Sequence, residues 1–521
     1  MTYSLIKHAA VFLAANVILF QIQVATAADD DASLQRYQAL AETPFENDFP
    51  TKTSLAALED ELYFQRATQA YLWSLPAINM YAMKEGAAKH FGAGYEVMAI
   101  WKQRIDANAI ITTPNSDVIY GMGFLDLAKD GPMVLDVPPK LQALIDDFWH
   151  RPIEGPTIDD RTYYADIGLP GPDKGKGGKY LVIPADYEDD IPDEGYYVYR
   201  SRTNGVFVFL RGFFDSPDNL QPAVDNMMGI RIYPWGEEGS ARKMEFPNAS
   251  GVKVNMGAPM DGAYFDMLNR FVQSEVDNYP DTNYARGMMA AIGIAKGREF
   301  KPTPRQRMLL DFAAKTAFKM SKAISFDEFP NGEKARWYGN RQWWGHIRDG
   351  DDDFFTALND FNFERKGAHY IDVDAQIHMY TNYYSMSPGM GTSIPGVGGK
   401  YLVTAKDADG DFVNGSKTYQ LTLPPNVPAN LFWSVTAYDP ITAAGLDNGQ
   451  PFPSINSKDD IKMNDDGSVT LYFGPQAPKG QEGNWVATVP GKGWFSILRL
   501  YGPEQPFFDK SWVPGDFQLV D

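Results

Sequence analysis

The chain has 521 residues, with 47 lysines and arginines, 67 aspartates and glutamates, a formal net charge of −20 and no cysteine. The lack of cysteine excludes disulfides, thiolate nucleophiles, iron–sulfur clusters and cysteine-based zinc sites. The acidic excess disfavours nucleic acid and anionic lipid as partners, because both would be repelled.

The composition of the first segment is typical of a targeting signal. Lys7 and His8 precede an apolar run over residues 9–20, and residues 25–27 (Ala-Thr-Ala) supply the small side chains that signal peptidase reads. This order predicts a secretory signal peptide over residues 1–27. The run is shorter than the ~20 residues that span a bilayer, so we predict no transmembrane segment and an exported soluble protein, periplasmic or extracellular. An uncleaved anchor is the alternative.

A polar linker over residues 28–50 and an N-terminal module over residues 51–212 are predicted next. Leu55, Leu58 and Leu62 recur at helical spacing at the start of this module. We therefore expect the module to begin with a helix and to continue as a β-sandwich.

The strands of this module are predicted from about residue 110 onward. Short β-rich runs with Gly, Pro and Asp between them favour a sandwich or barrel over a βαβ fold. The runs over residues 196–202 and 206–211 are joined by Thr-Asn-Gly. Because Asn and Gly both tolerate positive φ, this junction predicts a β-hairpin. In the preceding helix, Pro76 is expected to cause a kink or a break.

The second half of the chain repeats this organisation after a helical interval. Residues 213–345 form a mostly helical connecting region, with Ser216 and Pro217 as an N-cap and first-turn pair. Residues 346–521 return to strand-like runs. The predicted fold class is therefore mainly β with helical additions: two β-sandwich or jelly-roll-like domains plus a mostly helical middle segment.

One short sequence occurs in both halves. Gly-Gly-Lys-Tyr-Leu-Val stands at residues 177–182 and again at residues 398–403. Each copy is a glycine-rich loop that enters a predicted strand. The repeat favours two related sandwiches, and coincidence is the alternative because the flanking residues diverge.

Several segments resemble a known pair of modules. Residues 112–123 (Thr-Thr-Pro-Asn-Ser-Asp-Val-Ile-Tyr-Gly-Met-Gly) and 171–181 are similar to the signature of the domain of unknown function 1254. Residues 431–439 (Leu-Phe-Trp-Ser-Val-Thr-Ala-Tyr-Asp) and 498–501 (Leu-Arg-Leu-Tyr) resemble that of the domain of unknown function 1214. The resemblance implies paired β-sandwich modules in an exported bacterial protein, and it carries no agreed chemistry.

The chain departs from the second signature at two places. Residues 486–490 read Val-Ala-Thr-Val-Pro where the family often has Leu-Pro-Ala-Pro. Residues 449–452 (Gly-Gln-Pro-Phe) replace a stretch that usually contains arginine. A ligand held there would meet different contacts.

A compact polar turn supplies the catalytic candidates. Asn115, Ser116, Asp117 and Tyr120 place a carboxylate beside an amide, a hydroxyl and a phenol. Such a set can transfer a proton, so we predict Asp117 as the catalytic acid/base, oriented by Asn115 and Tyr120. In the alternative interpretation these side chains only hydrogen-bond their own backbone in a turn.

A cationic loop supplies candidates for substrate binding. Lys174 and Lys176 lie among several glycines, and together with Arg211 they are predicted to bind anionic or oxygen-rich groups of a substrate. The spacing and the closing Ser or Thr of a phosphate-binding P-loop are absent. A solvated flexible hairpin is the alternative for this loop.

Two tryptophans, Trp343 and Trp433, are further substrate-binding candidates, because sugars stack on indole rings. Core packing is the alternative for both.

No cofactor or metal is predicted. The histidines form no zinc motif. The acidic run over residues 407–411 lacks the glutamate that closes a calcium loop, because Thr418 stands in that place.

These features lead to one function and two alternatives. We expect an exported enzyme, a hydrolase or lyase, that acts on a carbohydrate or other polar small molecule in a cleft between the two modules. The first alternative is a non-catalytic protein that binds a small molecule or glycan or has a structural role at the envelope. The second is a module that assembles as a homo-oligomer.

Overall fold

The computed structural model describes residues 34–192, 194–275, 282–326, 336–345, 364–365, 370–391 and 394–520. The predicted signal peptide lies outside the described residues. Within them, no helix combines the length and the apolar character needed to cross a bilayer. Internal contacts divide the chain into two units, residues 1–65 and 66–521.

The first unit contains a small hairpin and the beginning of a long helix. Strands β1 (Phe45–Glu46) and β2 (Phe49–Pro50) pair antiparallel around Asn47 and Asp48, whose φ angles of 50° and 69° are typical of a tight two-residue turn. Helix α1 (Lys52–Phe91) starts in this unit and continues into the second. Pro76 lies inside α1 and does not end it, so the expected break is absent.

The described residues of the N-terminal half of the second unit form thirteen strands. They are β3 (Met98–Ile100), β4 (Ala109–Ile110), β5 (Ile119–Asp126), β6 (Met133–Val137), β7 (Gln142–Asp147), β8 (Glu154–Ile158), β9 (Arg161–Tyr164), β10 (Asp166–Gly168), β11 (Gly178–Ile183), β12 (Tyr197–Arg200), β13 (Gly205–Gly212), β14 (Arg231–Pro234) and β15 (Val254–Asn255). Sheet 1 has the order β10-β7-β13-β5-β3, and sheet 2 has the order β14-β6-β11-β12-β8-β9.

The C-terminal half has eleven described strands. They are β16 (Trp344–Gly345), β17 (Glu364–Arg365), β18 (Tyr370–Ile371), β19 (Gly399–Thr404), β20 (Thr418–Leu423), β21 (Ala429–Tyr438), β22 (Ser454–Asn456), β23 (Val469–Gly474), β24 (Trp485–Ala487), β25 (Phe495–Pro503) and β26 (Gln518–Val520). Sheet 3 has the order β16-β19-β25-β21-β22, and sheet 4 has the order β24-β23-β20-β26.

Each pair of sheets encloses a hydrophobic core. Alternate residues of β13, such as Val208 and Leu210, meet Tyr180 and Val182 of β11 in one buried cluster between sheets 1 and 2. Leu498 and residues of β20 and β23 form the corresponding cluster between sheets 3 and 4. Strand side chains alternate between faces, so each sheet also presents a second face outside its sandwich.

The helices complete the fold. Among the described residues they are a short helix over residues 34–41, α1, α2 (Leu127–Asp130), α3 (Gln221–Met227), α4 (Ala263–Ser274), α5 (Thr282–Ala291), α6 (Pro304–Phe326), α7 (Val373–Asn382), α8 (Pro388–Gly391) and α9 (Gln505–Phe508). The β-sheet architecture with a helical middle is confirmed. Strand-bearing sandwiches flank the helical stretch formed by α4 to α6.

The predicted hairpin around Asn204 is wrong. Strand β12 belongs to sheet 2 and β13 to sheet 1, so the Thr-Asn-Gly junction carries the chain from one sheet to the other. The carboxylate of Glu275 accepts hydrogen bonds from the backbone N–H groups of Asn204 and Gly205, at 2.7 and 3.0 Å. A distant side chain therefore fixes a turn that the local sequence alone would have closed as a hairpin.

Candidate functional site

The polar turn over residues 113–120 joins the two sandwiches. The backbone N–H of Thr113 donates to the carbonyl of Ala443 at 2.6 Å, and the hydroxyl of Tyr438 donates to the carbonyl of Pro114 at 2.7 Å. The Asn115 side chain accepts from the backbone N–H of Asp117 at 2.8 Å and donates to the hydroxyl of Tyr501. Only one of these contacts is local, so the turn is built mainly around the C-terminal sandwich.

Asp117 is buried and has a hydrogen bond to each carboxylate oxygen. Oδ2 accepts from the Ser434 hydroxyl at 2.5 Å, and Oδ1 accepts from Nδ2 of Asn456 at 2.8 Å. Ser434 lies on β21, an interior strand of sheet 3, and Asn456 lies on the edge strand β22. The predicted acid/base therefore connects the N-terminal module to the second sandwich, and its carboxylate does not line the nearby cavity.

A small, partly open cavity lies beside this turn, and a volume of about 40 Å³ is available in it to the centres of water molecules. That volume exceeds the roughly 10–15 Å³ one water needs, so the cavity has room for a few atoms of a ligand. Three parts of the chain form its wall: the N-terminal sandwich, the C-terminal sandwich and the segment around α7 and α8. The lining residues are Thr113, Asn115, Tyr120, Phe209, Arg211, Met379, Tyr383, Tyr384, Met390, Tyr401 and Arg499.

Strand alternation explains why polar residues meet here. Val208 and Leu210 point into the first sandwich core, so Phe209 and Arg211 lie on the opposite face of sheet 1. Tyr120 on β5 stands directly opposite Arg211 on β13 in the antiparallel register. The guanidinium carbon lies 5.9 Å from the Tyr120 ring centre and 5.4 Å from that of Phe209.

The second sandwich repeats this arrangement. Leu498 and Leu500 point into its core, which places Arg499 on the outer face of sheet 3. Arg499 stands opposite Tyr401 of β19, and its guanidinium carbon lies 5.3 Å from that ring centre. Each sandwich therefore contributes one arginine with a tyrosine directly across the strand pair, and the two pairs face the same cavity.

The electrostatics keep the lining rich in hydrogen-bond donors. Burial raises the pKa of Tyr120, Tyr383 and Tyr384, and the nearby arginines lower it by less, so these phenols stay protonated. Burial acts to lower the pKa of Arg211 and Arg499, but surrounding tyrosines act in the other direction and the net change is a rise. Both guanidiniums therefore remain charged at any ordinary pH.

The third part of the cavity wall, the segment around α7 and α8, is held by buried polar side chains of the first sandwich. Oδ2 of Asp166 accepts from the backbone N–H of Gly389 at 2.7 Å, and Oδ2 of Asp146 accepts from that of Met386 at 2.9 Å. Nδ1 of His150 accepts from the backbone N–H of Ser385 at 3.0 Å. Burial raises the pKa of Asp166 to about 7 and lowers that of His150 to about 3.

The remaining sequence candidates lie elsewhere. Lys174 and Lys176 are exposed in a loop whose N–H groups at Gly175 and Gly177 donate to the Asp173 carboxylate at 3.1 and 3.0 Å. Because these hydrogen bonds are made within the loop, its glycines stabilise the turn. Neither lysine lines the cavity.

Both candidate tryptophans are core residues of the second sandwich. Trp343 is fully buried, and its Nε1 donates to the carbonyl of Gly515 at 2.7 Å. Trp433 is 7% exposed and belongs to the same hydrophobic cluster. The structure therefore brings together Asn115, Tyr120 and Arg211 from the predicted set and leaves the lysines and tryptophans apart.

Sequence reasoning did not select Arg499, Tyr401 or Tyr384. A usable signal exists for the first of these, because an arginine stands between two leucines in a strand that is buried along its whole length. Tyr401 lies in the repeated Gly-Gly-Lys-Tyr sequence, but its counterpart Tyr180 is in the first core and accepts from the backbone N–H of Gly168. The repeat therefore does not mark equivalent positions of a site.

Two larger cavities, of about 840 and 670 Å³, open on the surface beside α6. Their walls are mostly apolar, and they contain none of the residues selected from the sequence. Among the described residues, no group of three His, Asp or Glu side chains is placed to hold a metal ion.

Comparison with known protein families assigns each Tyr–Arg pair of this site to a family module. Residues 95–234 match the family model for the protein of unknown function DUF1254, and residues 398–505 match that for DUF1214. The chain carries a DUF1254 module followed by a DUF1214 module. The Tyr120–Arg211 pair therefore belongs to the first module and the Tyr401–Arg499 pair to the second.

A solved structure with a similar architecture supports the fold. The VPA0106 protein from Vibrio parahaemolyticus is similar over 88% of this chain and 100% of its own, with a TM-score of 0.50 and 18% identity. An uncharacterized protein from Burkholderia cenocepacia aligns over 96% of this chain and 98% of its own, with a TM-score of 0.37 and 13% identity. No curated protein matches the chain.

Proposed function

We propose that this chain is an exported protein that binds a small polar molecule in the cavity between its DUF1254 and DUF1214 modules. One observation carries the proposal: tyrosine and arginine side chains from both modules line one small cavity. A few convergent polar groups in a mostly apolar concave site are typical of small-molecule recognition. Export is supported by the signal-like composition of residues 1–27.

Binding is favoured over acid–base hydrolysis by the chemistry of the wall. A general acid or base works best with a pKa near the operating pH. Among the described lining residues the ionisable groups are phenols and guanidiniums; burial raises the pKa of Tyr120, Tyr383 and Tyr384, and the net pKa change of both arginines is a rise, so these groups keep their protons. Asp117, the predicted acid/base, has both oxygens occupied by Ser434 and Asn456.

A hydrolase or lyase acting on a carbohydrate or other polar small molecule is the second candidate. The observation that favours it is the Tyr120 hydroxyl, which lines the cavity opposite a permanent cation, Arg211. A phenol so placed could donate a proton to a leaving group. Turnover would then depend on Tyr120, and Asp117 would act by holding the turn.

Ligand recovery distinguishes these functions. The mature chain, residues 28–521, is purified without added small molecules, and its bound contents are identified by native mass spectrometry. We expect a small molecule of defined mass that the protein releases unchanged on unfolding. A ligand that is converted on incubation would instead support the enzyme. If no molecule co-purifies and a broad thermal-shift screen finds none, the binding proposal is wrong.

A matched pair of variants ties the ligand to the cavity. Arg211→Gln removes the cavity cation, and Arg231→Gln removes an exposed arginine of the same module that pairs with Asp136 and Glu238. We expect the first variant to lose the ligand and the second to keep it. Equal retention by both variants would place the site elsewhere.

A further inference from the structure

We propose that the ligand of the inter-module cavity is a small monocarboxylate whose carboxylate group binds Arg211 and whose short apolar body faces Phe209, Met379 and Met390. This inference rests on the proposed function and adds the chemical class of the ligand. It follows from three observations: an unsatisfied cation, the charge of the wall and the shape of the remaining space.

The first observation is the state of Arg211. Its Nε–H is buried and has no hydrogen-bond partner among the described residues. Arg211 is partly exposed and belongs to the wall of the cavity. A buried donor on a charged group is costly when it has no acceptor, so an anion bound beside Arg211 would lower this cost.

The second observation is the balance of charge around the cavity. Two guanidiniums, Arg211 and Arg499, belong to the wall, and no carboxylate does. Two acids act on the wall without lining it: Asp117, whose charge acts on Arg499, and Asp166, whose burial raises its pKa to about 7. Asp117 therefore offsets Arg499, and Asp166 is partly protonated at neutral pH, so an anion that enters the cavity would still meet a net positive charge at Arg211.

The two arginines differ in what they have left to offer. Nη1 of Arg499 donates to the Thr436 hydroxyl at 3.3 Å, and Nη2 donates to the carbonyl of Thr113 at 3.4 Å. Arg499 is thus tied to the protein on two sides. Arg211 is flanked by aromatic rings that offer their faces, so it is the arginine with a free donor for a ligand.

The third observation concerns shape and class. A guanidinium offers parallel N–H groups that match the two oxygens of a carboxylate. Protonated phenols of Tyr120 and Tyr384 add donors beside it. Phe209, which flanks the guanidinium, and Met379 and Met390 add apolar surface to the wall, and the volume of about 40 Å³ limits the body to a few carbon atoms. A cation beside apolar surface favours a short monocarboxylate over a phosphate or a sugar.

Binding of charged and neutral isosteres tests the class. Acetate, propionate and butyrate are titrated into the mature protein by calorimetry, with propionamide as the neutral isostere and inorganic phosphate as the alternative anion. We expect saturable binding of at least one monocarboxylate and affinity at least tenfold weaker for propionamide and phosphate. Equal affinity for propionamide, or preference for phosphate, would overturn the carboxylate assignment.

Variants locate the binding and separate the two levels of the proposal. Arg211→Gln is expected to weaken monocarboxylate binding at least tenfold, whereas Arg231→Gln leaves it unchanged. Tyr120→Phe keeps the ring and removes one donor, and a loss of about threefold to tenfold is expected even if Arg211→Gln proves hard to purify. A neutral molecule that co-purifies and depends on Arg211 would overturn the carboxylate class and leave the cavity as the binding site. Carboxylate binding that survives both cavity variants would overturn the assignment to this cavity.

Discussion

Two neighbouring groups of polar residues lie between the sandwiches, and they differ in how completely their hydrogen bonds are made. The Asp117 carboxylate is saturated by Ser434 and Asn456, and the adjoining turn is bonded to the second sandwich. Arg211, on the facing strand pair, keeps a buried donor without an acceptor. The first group is therefore structural, and the second has capacity left for a ligand. The motif that stands out in the sequence is therefore the group whose hydrogen bonds are already made within the protein.

Removal of the Asp117 carboxylate is expected to have the largest effect on stability. Asp117→Ala leaves the buried donors of Ser434 and Asn456 without an acceptor, which should lower the free energy of unfolding by about 4 kcal/mol. Urea unfolding measures this loss. Asp117→Asn retains an acceptor oxygen and should lose less. An Asp117→Ala protein that unfolds like the parent but loses turnover of an identified substrate would restore Asp117 as a catalytic residue.

Asp166, which holds the segment around α8, should make the stability of the protein depend on pH. Burial raises the pKa of Asp166 from 3.8 to about 7, so the unfolded chain releases this proton at lower pH than the folded protein does. The stability present below pH 3.8 is therefore lost progressively as the pH rises to about 7, by about 4 kcal/mol.

Asp166→Asn cannot ionise and isolates this contribution. Its stability relative to the parent should increase between pH 4 and pH 7 and then stay constant, as measured by thermal unfolding across that range. Asp218→Asn, at an exposed position, is the matched control. A difference between parent and Asp166→Asn that is independent of pH would show that Asp166 titrates normally.

Replacing Arg211 and Arg499 by methionine should change the stability of the ligand-free protein in opposite directions. Arg211→Met removes a buried cation with an unsatisfied donor, and the ligand-free protein should become more stable by about 1 kcal/mol. Arg499→Met removes hydrogen bonds to Thr436 and Thr113 and should lower stability by about 2 kcal/mol. Both free energies come from urea unfolding of ligand-free protein. Equal destabilisation by the two substitutions would contradict the distinction between a structural and a ligand-binding arginine.

The smallest effect is expected at the lysine loop. Lys174 and Lys176 are exposed, and the loop is closed by Asp173. The double substitution Lys174→Ala and Lys176→Ala should change stability by less than about 0.5 kcal/mol and should leave ligand affinity unchanged in calorimetry. A loss of affinity would move the anion site to this loop.

The sequence was sufficient for the order of the modules and for the β-rich character of both. Short runs with turn residues between them predicted the sandwiches, because the alternation of side chains is a local property. The junction at Asn204 could not be predicted, since the carboxylate that fixes it belongs to Glu275, about seventy residues later. Turn composition alone cannot show that a side chain from elsewhere in the fold replaces the hairpin hydrogen bonds.

Only part of the cavity lining was selected from the sequence, because the rest depends on how distant strands pair. Tyr120 and Arg211 were selected separately, and only the register of β5 against β13 shows that they are partners. Arg499 and Tyr401 depend on a second register, between β25 and β19. Which polar residues of a strand face solvent and which face another sandwich is a property of the assembled fold. An arginine within an apolar strand was the one sequence signal that pointed to it.

A crystal structure of the mature protein grown with propionate tests the central claim most directly. We expect the carboxylate within about 3 Å of the Arg211 guanidinium, at ordinary hydrogen-bond length, with the ethyl group against Phe209. A cavity that holds only water while propionate lies at the Lys174–Lys176 loop, or nowhere, would contradict the account.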